Sequence, residues 1–346
     1  MTPRDPALYC PECAFGPDAA LARRDFIRLV GTSAAAAAVA GTAAPAVRAA
    51  DKPAKAAKPA EGMIRELFEG LSTDQKKQVV LPWDHGAKGG AIPTRLGMYN
   101  APIAKLPLKD AYKKPQQELL ERIFRAICSD DDGYKRMSRG GTFDDSKSFD
   151  SIGALIFGEP TGDKPYSLVF AGHHLTVRCD GNSEPGAAFG GPMYYGHTPN
   201  GYSDRNVFYY QTKEVVTLFD ALEGKQRKAA VLKGTPGEQA KSVEFRKAGE
   251  PHPGLAVSEM TPDQRELVER VMRAVLSPYR KEDADEVMDI VKANGGMNAI
   301  HFAFYEDKEM TDRQPWHFWR LEGPGFVWNF RVLPHVHTYV HIRNKA

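Results

Sequence analysis

The sequence has few cysteines, almost no net charge and no long run of strongly apolar residues. Four cysteines in 346 residues are too few for a disulfide scaffold. The 46 Lys and Arg nearly cancel the 44 Asp and Glu, and the net charge of +2 argues against a general binder of nucleic acid or another polyanion. Hydrophobic residues still make up 42% of the chain, so the composition predicts an ordinary folded protein.

Two kinds of functional motif are also missing. No Gly-x-Ser-x-Gly elbow occurs after the first 50 residues, which disfavours a serine hydrolase. Neither a Gly-x-Gly-x-x-Gly after a strand nor a Gly-Lys-Ser/Thr loop is present, which disfavours nucleotide binding.

Residues 1–50 have the layout of an export leader. Arg23 and Arg24 precede Phe26 and an Ala-rich stretch, roughly 29–46, that is followed by small residues suited to cleavage. Ala, Gly, Ser and Thr contribute too little transfer energy for this stretch to form a stable membrane anchor. We therefore predict a twin-arginine signal, with the twin-arginine export machinery as a partner and the periplasm, or another exported location, as the destination.

The predicted export would divide the four cysteines between the leader and the mature chain. A Lys-, Ala- and Pro-rich flexible linker is predicted at 51–62, and Cys10 and Cys13 are lost with the leader that precedes it. The mature chain retains Cys128 and Cys179. An oxidising compartment permits a disulfide between them, which the sequence does not establish.

The mature chain contains one helical pattern twice. Residues 118–129 and 266–277 are identical at seven of twelve positions. Apolar residues recur at the i, i+3, i+4 spacing of an amphipathic helix over about 116–128 and over 262–276, and the second helix is predicted to begin at Thr261-Pro262. Each helix is followed by a strand that ends in an acidic residue, at 155–159 and 302–306, and then by a second strand that begins with Pro and an aromatic residue.

This repetition predicts an α+β fold. We expect one domain over 63–346, made of two similar halves at about 63–230 and 231–346. Each half is a helix laid on antiparallel strands, so the fold contains an internal pseudo-repeat.

A histidine pair lies near the carboxyl end of the chain. In the segment 334–342, period-two alternation places His335, His337, Tyr339 and His341 on one face of a strand. At ~3.3 Å per residue His335 and His337 are about 6.6 Å apart and can share a metal ion, whereas His341 is about 20 Å from His335 along a straight strand. The pair therefore needs ligands from elsewhere in the chain.

The best source is a second histidine pair in the predicted strand 171–177. Adjacent residues of a strand face opposite ways, so only one of His173 and His174 can reach the site unless a bulge at Gly172 turns both. His197, in a Gly-containing segment, is a further candidate. Glu184 is a weaker candidate for a carboxylate ligand or an acid/base group, and we expect first that it is a turn residue. The candidate metal ligands are therefore His173, His174, His197, His335 and His337.

The sequence resembles a bacterial family known as domain of unknown function 3500. The resemblance spans about residues 65 to 340, and it is carried by Gly172-His-His-Leu, Phe189-Gly-Gly-Pro, Trp319-Arg-Leu-Glu-Gly-Pro and His335-Val-His-Thr. It implies that the two histidine clusters form one site, and it brings no assigned reaction.

The residues themselves predict an exported metal-binding protein. Neutral imidazoles suit transition metals, and we expect copper first, zinc second, with redox chemistry on an unidentified substrate. The alternatives are a zinc-dependent hydrolase, with Glu159 or Glu306 as base, and a carrier without turnover.

Overall fold

The computed structural model describes residues 60–238, 240–247, 249–307 and 310–344. Within these ranges the chain forms a mixed α+β fold around one large sheet, as the helix and strand patterns predict. The predicted leader and residues 51–59 of the predicted linker lie outside the described residues, and the last three linker residues, 60–62, belong to the first helix. None of the described helices has the length and apolar character needed to span a membrane.

Capping residues mark the starts of some of the helices. Ser72 and Thr261 accept hydrogen bonds from the backbone of the first turn of their helices, and Pro262 supplies the preset dihedral of a first helical position. The two predicted amphipathic helices are present, and the second has the predicted bounds. The helices of the described residues are α1 (Ala60–Glu69), α2 (Thr73–Val79), α3 (Leu108–Ala111), α4 (Lys114–Ile127), α5 (Asp131–Met137), α6 (Tyr209–Asp220), α7 (Gly224–Ala230), α8 (Pro262–Leu276) and α9 (Lys281–Ala293).

Eleven strands of the described residues belong to one mixed sheet. Ten of them follow the order β1-β2-β3-β4-β5-β11-β10-β9-β8-β6, and β7 pairs with β8 off this path. The only parallel pairs among them are β1 with β2 and β6 with β8. The strands are β1 (Val80–Leu81), β2 (Gly153–Gly158), β3 (Tyr166–Gly172), β4 (Leu175–Cys179), β5 (Met193–His197), β6 (Val231–Lys233), β7 (Leu255–Ala256), β8 (His301–Glu306), β9 (Phe318–Gly323), β10 (Phe326–Arg331) and β11 (Val336–Ile342).

The helix starts contain two similar pairs of amides. Gln75 and Gln116, in the first turns of α2 and α4, exchange side-chain hydrogen bonds of 2.7 and 3.1 Å. Gln226 and Gln264, in the first turns of α7 and α8, do the same at 2.9 and 2.8 Å. Each pair joins two helix starts that the hydrophobic pattern alone would not connect.

The sheet has a helix-covered face and a loop-covered face. Helix α4 packs on the first face, where Phe124 meets Phe170 at a ring-centroid distance of 5.3 Å. Segments 82–106, 234–238 and 240–247 cover the other face: the N–H of Tyr99 donates to Thr176 on β4, and the side chain of Asn329 on β10 donates to the carbonyl of Gly237. Since polar residues alternate onto the loop-covered face, that face can bury a polar site.

Strand β11 shows how polar side chains become buried on the loop-covered face. Val336, Thr338 and Val340 lie on the helix-covered face, and His337 and Tyr339 lie on the other, so the predicted alternation is confirmed. His337 and Tyr339 are both at most 2% exposed because the covering segments exclude solvent.

Candidate metal centre

Three imidazoles from two distant parts of the chain converge on the loop-covered face. The Nε2 atom of His337 lies 3.0 Å from the Nε2 atom of His335 and 3.0 Å from that of His174. All three side chains are buried. Two nitrogens bound at ~2.0–2.1 Å to one tetrahedral ion are about 3.3–3.4 Å apart, so small side-chain shifts would admit an ion.

The positions of His335 and His337 follow from the strand pattern. His337 lies on β11 and His335 lies two residues earlier, just before the strand begins. Arg331 at the end of β10 donates from Nε to the carbonyl of His335 at 3.1 Å. This hydrogen bond fixes the backbone of His335 next to the first residue of β11.

His174 comes from a turn, and the predicted strand across 171–177 is wrong. Strand β3 ends at Gly172 and β4 begins at Leu175, so His173 and His174 form the two-residue connection of a hairpin. The strand alternation that would send them to opposite faces therefore does not apply. Their rings lie next to each other instead, with centroids 3.9 Å apart and planes tilted by 32°.

Other segments hold His174 in a demanding backbone conformation. Its φ of +53° lies in the left-handed region, which residues other than glycine seldom adopt. Its N–H donates to Asn100 Oδ1 at 2.7 Å, and its carbonyl accepts from the N–H of Gly196 at 3.1 Å. A Cβ on Gly196 would lie 2.3 Å from the carbonyl oxygen of Val336 and 3.2 Å from the His174 ring, so this position requires glycine.

Two carboxylates set the tautomers of two of these histidines. Asp144 Oδ2 is 2.8 Å from His174 Nδ1, and Glu238 Oε1 is 2.8 Å from His337 Nδ1. An ionised carboxylate only accepts hydrogen bonds, so each Nδ1 carries the proton and each Nε2 presents a lone pair. The 3.0 Å contact between His174 and His337 therefore brings two lone pairs together, which a cation between them would stabilise.

His173 and His197 have the opposite arrangement. The backbone N–H of Asp145 donates to Nδ1 of His173 at 3.2 Å, and that of Val207 donates to Nδ1 of His197 at 3.1 Å. In the neutral ring, Nε2 then carries the proton. His197 Nε2 lies 3.6 Å from the carboxylate of Asp144. These bonds favour hydrogen-bond donation by both side chains over ligation through Nε2.

Burial controls the charges at this site. It lowers the pKa of His174 and of His337 well below the ordinary value, and the neighbouring imidazoles and arginines act in the same direction. Burial also raises the pKa of Asp144 to about 6, against the opposing effect of Arg139. His174 and His337 are thus neutral near pH 7, which is the form that binds metals.

The sequence patterns did not identify the carboxylates or the arginines beside them. Asp144 follows α5 in a tight turn, and Glu238 lies on the covering segment that follows β6. Arg331 pairs with Glu238 at 2.7 Å, and Arg139 lies 3.6 Å from Asp144. The available signals were an Asp-Asp pair and an acidic residue among Gly and Pro, and both are typical of ordinary turns.

The remaining candidates have other contacts. Glu184, predicted as a turn residue, is a buried ion-pair partner of Arg95 at 2.6 Å. His341 stacks on Phe245 and hydrogen-bonds to the carbonyl of Val243, away from the three converging imidazoles.

The two glutamates predicted as catalytic bases, and the two cysteines of the mature chain, have contacts of other kinds. Glu159 and Glu306 form ion pairs of 2.5 Å with Lys164 and Lys233. Cys128 and Cys179 are buried free thiols.

The sequence matches a family model described as a protein of unknown function, DUF3500, over residues 53–345. The chain belongs to the DUF3500 family. Comparison with curated proteins and with solved structures found no significant match. Because the family description names no activity, any function of this DUF3500 protein must be argued from its own residues.

Proposed function

We propose that this DUF3500 protein is an exported metal-binding protein in which His174, His335 and His337 bind one transition metal ion. The observation that carries the proposal is the 3.0 Å distance between the Nε2 atoms of His174 and His337. The Nδ1 atom of each ring is hydrogen-bonded to a carboxylate, so the two Nε2 lone pairs face each other. Carboxylate–histidine pairs of this kind orient metal-binding imidazoles and raise their basicity.

Copper with redox chemistry is the favoured form of the proposal. The donor set is three imidazoles without a thiolate. Tyr194 and Tyr339 stack at a centroid distance of 4.9 Å beside it, and the Tyr339 hydroxyl is 3.4 Å from Nδ1 of His337. Bound copper would supply one-electron chemistry, and these phenols would provide groups that can exchange an electron with it.

Zinc is the second candidate, and one observation favours it. The three histidines equal the number of protein ligands in hydrolytic zinc sites, where zinc would activate a bound water. In that case the Nε2–H groups assigned to the buried His173 and the half-buried His197 would act as hydrogen-bond donors. A non-catalytic carrier is the third form, in which the ion exchanges readily.

Metal analysis of the natively exported protein is expected to show about one copper ion per chain, with the paramagnetic signal of nitrogen-coordinated copper. Stoichiometric zinc would replace the redox proposal by the hydrolytic one, and rapid exchange with a weak chelator would favour carriage. Protein that contains no stoichiometric metal, and that binds none when copper or zinc is added, would contradict all three forms.

The Asp144→Asn variant is expected to bind the metal about 10–100-fold more weakly, because the amide no longer supports the His174 imidazole with a negative charge. Asp145→Asn is the matched control, since the Asp145 carboxylate is 48% exposed and pairs with Lys147. Competition with a chelator of known affinity measures both. Equal affinities in the two variants would exclude a supporting role for Asp144.

We also propose export through the twin-arginine route, supported by Arg23, Arg24 and the Ala-rich stretch after them. Cell fractionation tests it: replacement of both arginines by lysine should retain the protein in the cytoplasm. Unchanged export of this variant would contradict the proposal.

We further propose that the domain is an internal duplication. The symmetric strand order and the two reciprocal glutamine pairs support it. In this proposal the second half begins with α6, at Tyr209, and not at the predicted position 231, because α6 and α7 stand in the places of α1 and α2. An experimental structure whose halves fail to superpose would contradict it.

A further inference from the structure

A second feature of the loop-covered face is a cavity of about 230 Å³. We call it the side cavity. Its lining is mainly apolar, and its polar side chains are Glu184, Glu244, His341 and Arg343. The volume is below the ~300–1,000 Å³ of pockets for drug-sized ligands, so the side cavity fits a molecule the size of a single ring or a short chain. The apolar lining is formed by Ile92, Leu96, Met98, Ala187, Pro192 and Val243.

The side cavity lies one layer of side chains from the metal centre. Met98 and Val243 belong to the same packed cluster as Tyr194 and Tyr339. Tyr194 in turn lies 5.5 Å from His337, measured between ring centroids. A ligand here would not reach the proposed metal, so the cavity is a separate site.

Arginines surround one end of the side cavity. Arg95 forms a short ion pair of 2.6 Å with one carboxylate oxygen of Glu184. Arg343 forms a longer and weaker contact of 3.5 Å with the other oxygen. The Arg343 side chain is 45% exposed, so its guanidinium can form charge-assisted bonds to another anion without breaking the Arg95 pair.

Arg178 adds positive charge behind the cavity wall. It is buried, it donates to the carbonyls of Arg95 and Gly97, and its remaining terminal nitrogen has no hydrogen-bond partner in the described part of the chain. A Cβ on Gly191, which lines the cavity, would lie 3.7 Å from Arg178 Nε. Burial lowers the pKa of Arg178 to about 10, so the group stays charged at pH 7.

The acidic groups near this end do not cancel the field inside the cavity. Glu184 is shared between two arginines, Asp180 accepts backbone N–H bonds from Asn182 and Glu184, and Glu244 is exposed to solvent. The three arginines therefore face two buried carboxyl groups. Water screens the remaining carboxyl group, which belongs to Glu244.

We propose that the side cavity binds a small apolar carboxylate, with the anion on Arg343 and the hydrocarbon part against Leu96, Met98 and Val243. The site is independent of the metal centre, since none of its lining residues is among the three converging histidines.

Calorimetric titration of the full exported protein, with and without a chelator, tests this with benzoate and hexanoate as probes. We expect saturable binding of at least one anion, unaffected by the chelator. We expect benzamide, the neutral analogue of benzoate, to bind at least about tenfold more weakly than the better-binding anion, because it lacks the charge that Arg343 recognises.

Arg343→Gln should weaken binding of that anion about tenfold or more, and Lys247→Gln, which removes an exposed positive charge outside the side cavity, should leave it unchanged. No saturable binding of either anion, equal binding of benzamide, or unchanged binding by Arg343→Gln would each overturn the proposal. None of these results depends on whether the histidines hold a metal.

Discussion

Replacing His337 with alanine is expected to reduce the metal content from about one ion per chain to less than about a tenth of that value. His337 is central to the cluster, because its Nε2 atom lies 3.0 Å from both other imidazole nitrogens. His174 and His335 alone would leave a two-ligand site. Elemental analysis of the purified variant, after dialysis against a weak chelator, measures the loss.

His341→Ala is the matched control for this experiment. His341 lies on the same strand and the same face, but it stacks on Phe245 and hydrogen-bonds to Val243. We expect this variant to keep its metal. Circular dichroism establishes that both variants are folded, and a folded His337→Ala protein with undiminished metal content would exclude the three-histidine centre.

Removing the metal from the unmodified protein is expected to lower the free energy of unfolding by about 4 kcal/mol, if the free ion had been present at about 1,000 times its dissociation constant. For a domain of this size the loss corresponds to a fall in Tm of roughly 10 °C. The physical reason is that the apo protein buries the facing lone pairs of His174 and His337 without the cation between them.

Thermal unfolding with and without a chelator measures this difference. The His337→Ala variant provides the comparison, because its Tm should not respond to the chelator. A chelator that leaves the Tm of the unmodified protein unchanged, or that lowers both Tm values equally, would show that no ion at this site stabilises the fold.

Local sequence patterns were sufficient to predict the helix and the strand described below, and that strand carries part of the site. The apolar spacing and the Thr261-Pro262 start predict α8 at its observed bounds, and the alternation in 334–342 places His337 and Tyr339 together on one face. These predictions succeed because helix and strand periodicities are properties of neighbouring residues.

The residues around His173 and His174 hide the turn from the strand pattern for a specific reason. Apolar residues on both sides continue the alternation, and the pair lacks the Gly, Asn or Asp that usually marks a two-residue turn. The left-handed conformation of His174 is held by Asn100 and Gly196, which are distant in sequence.

The sequence by itself determined the α+β class, the amphipathic helices and the strand that carries His337, because each depends on local spacing of apolar residues. Only the tertiary structure decided which imidazole nitrogens face one another and which of them carry protons. The roles of the ring nitrogens depend on hydrogen-bond partners such as Asp144 and Glu238, and folding alone brings those partners to the histidines.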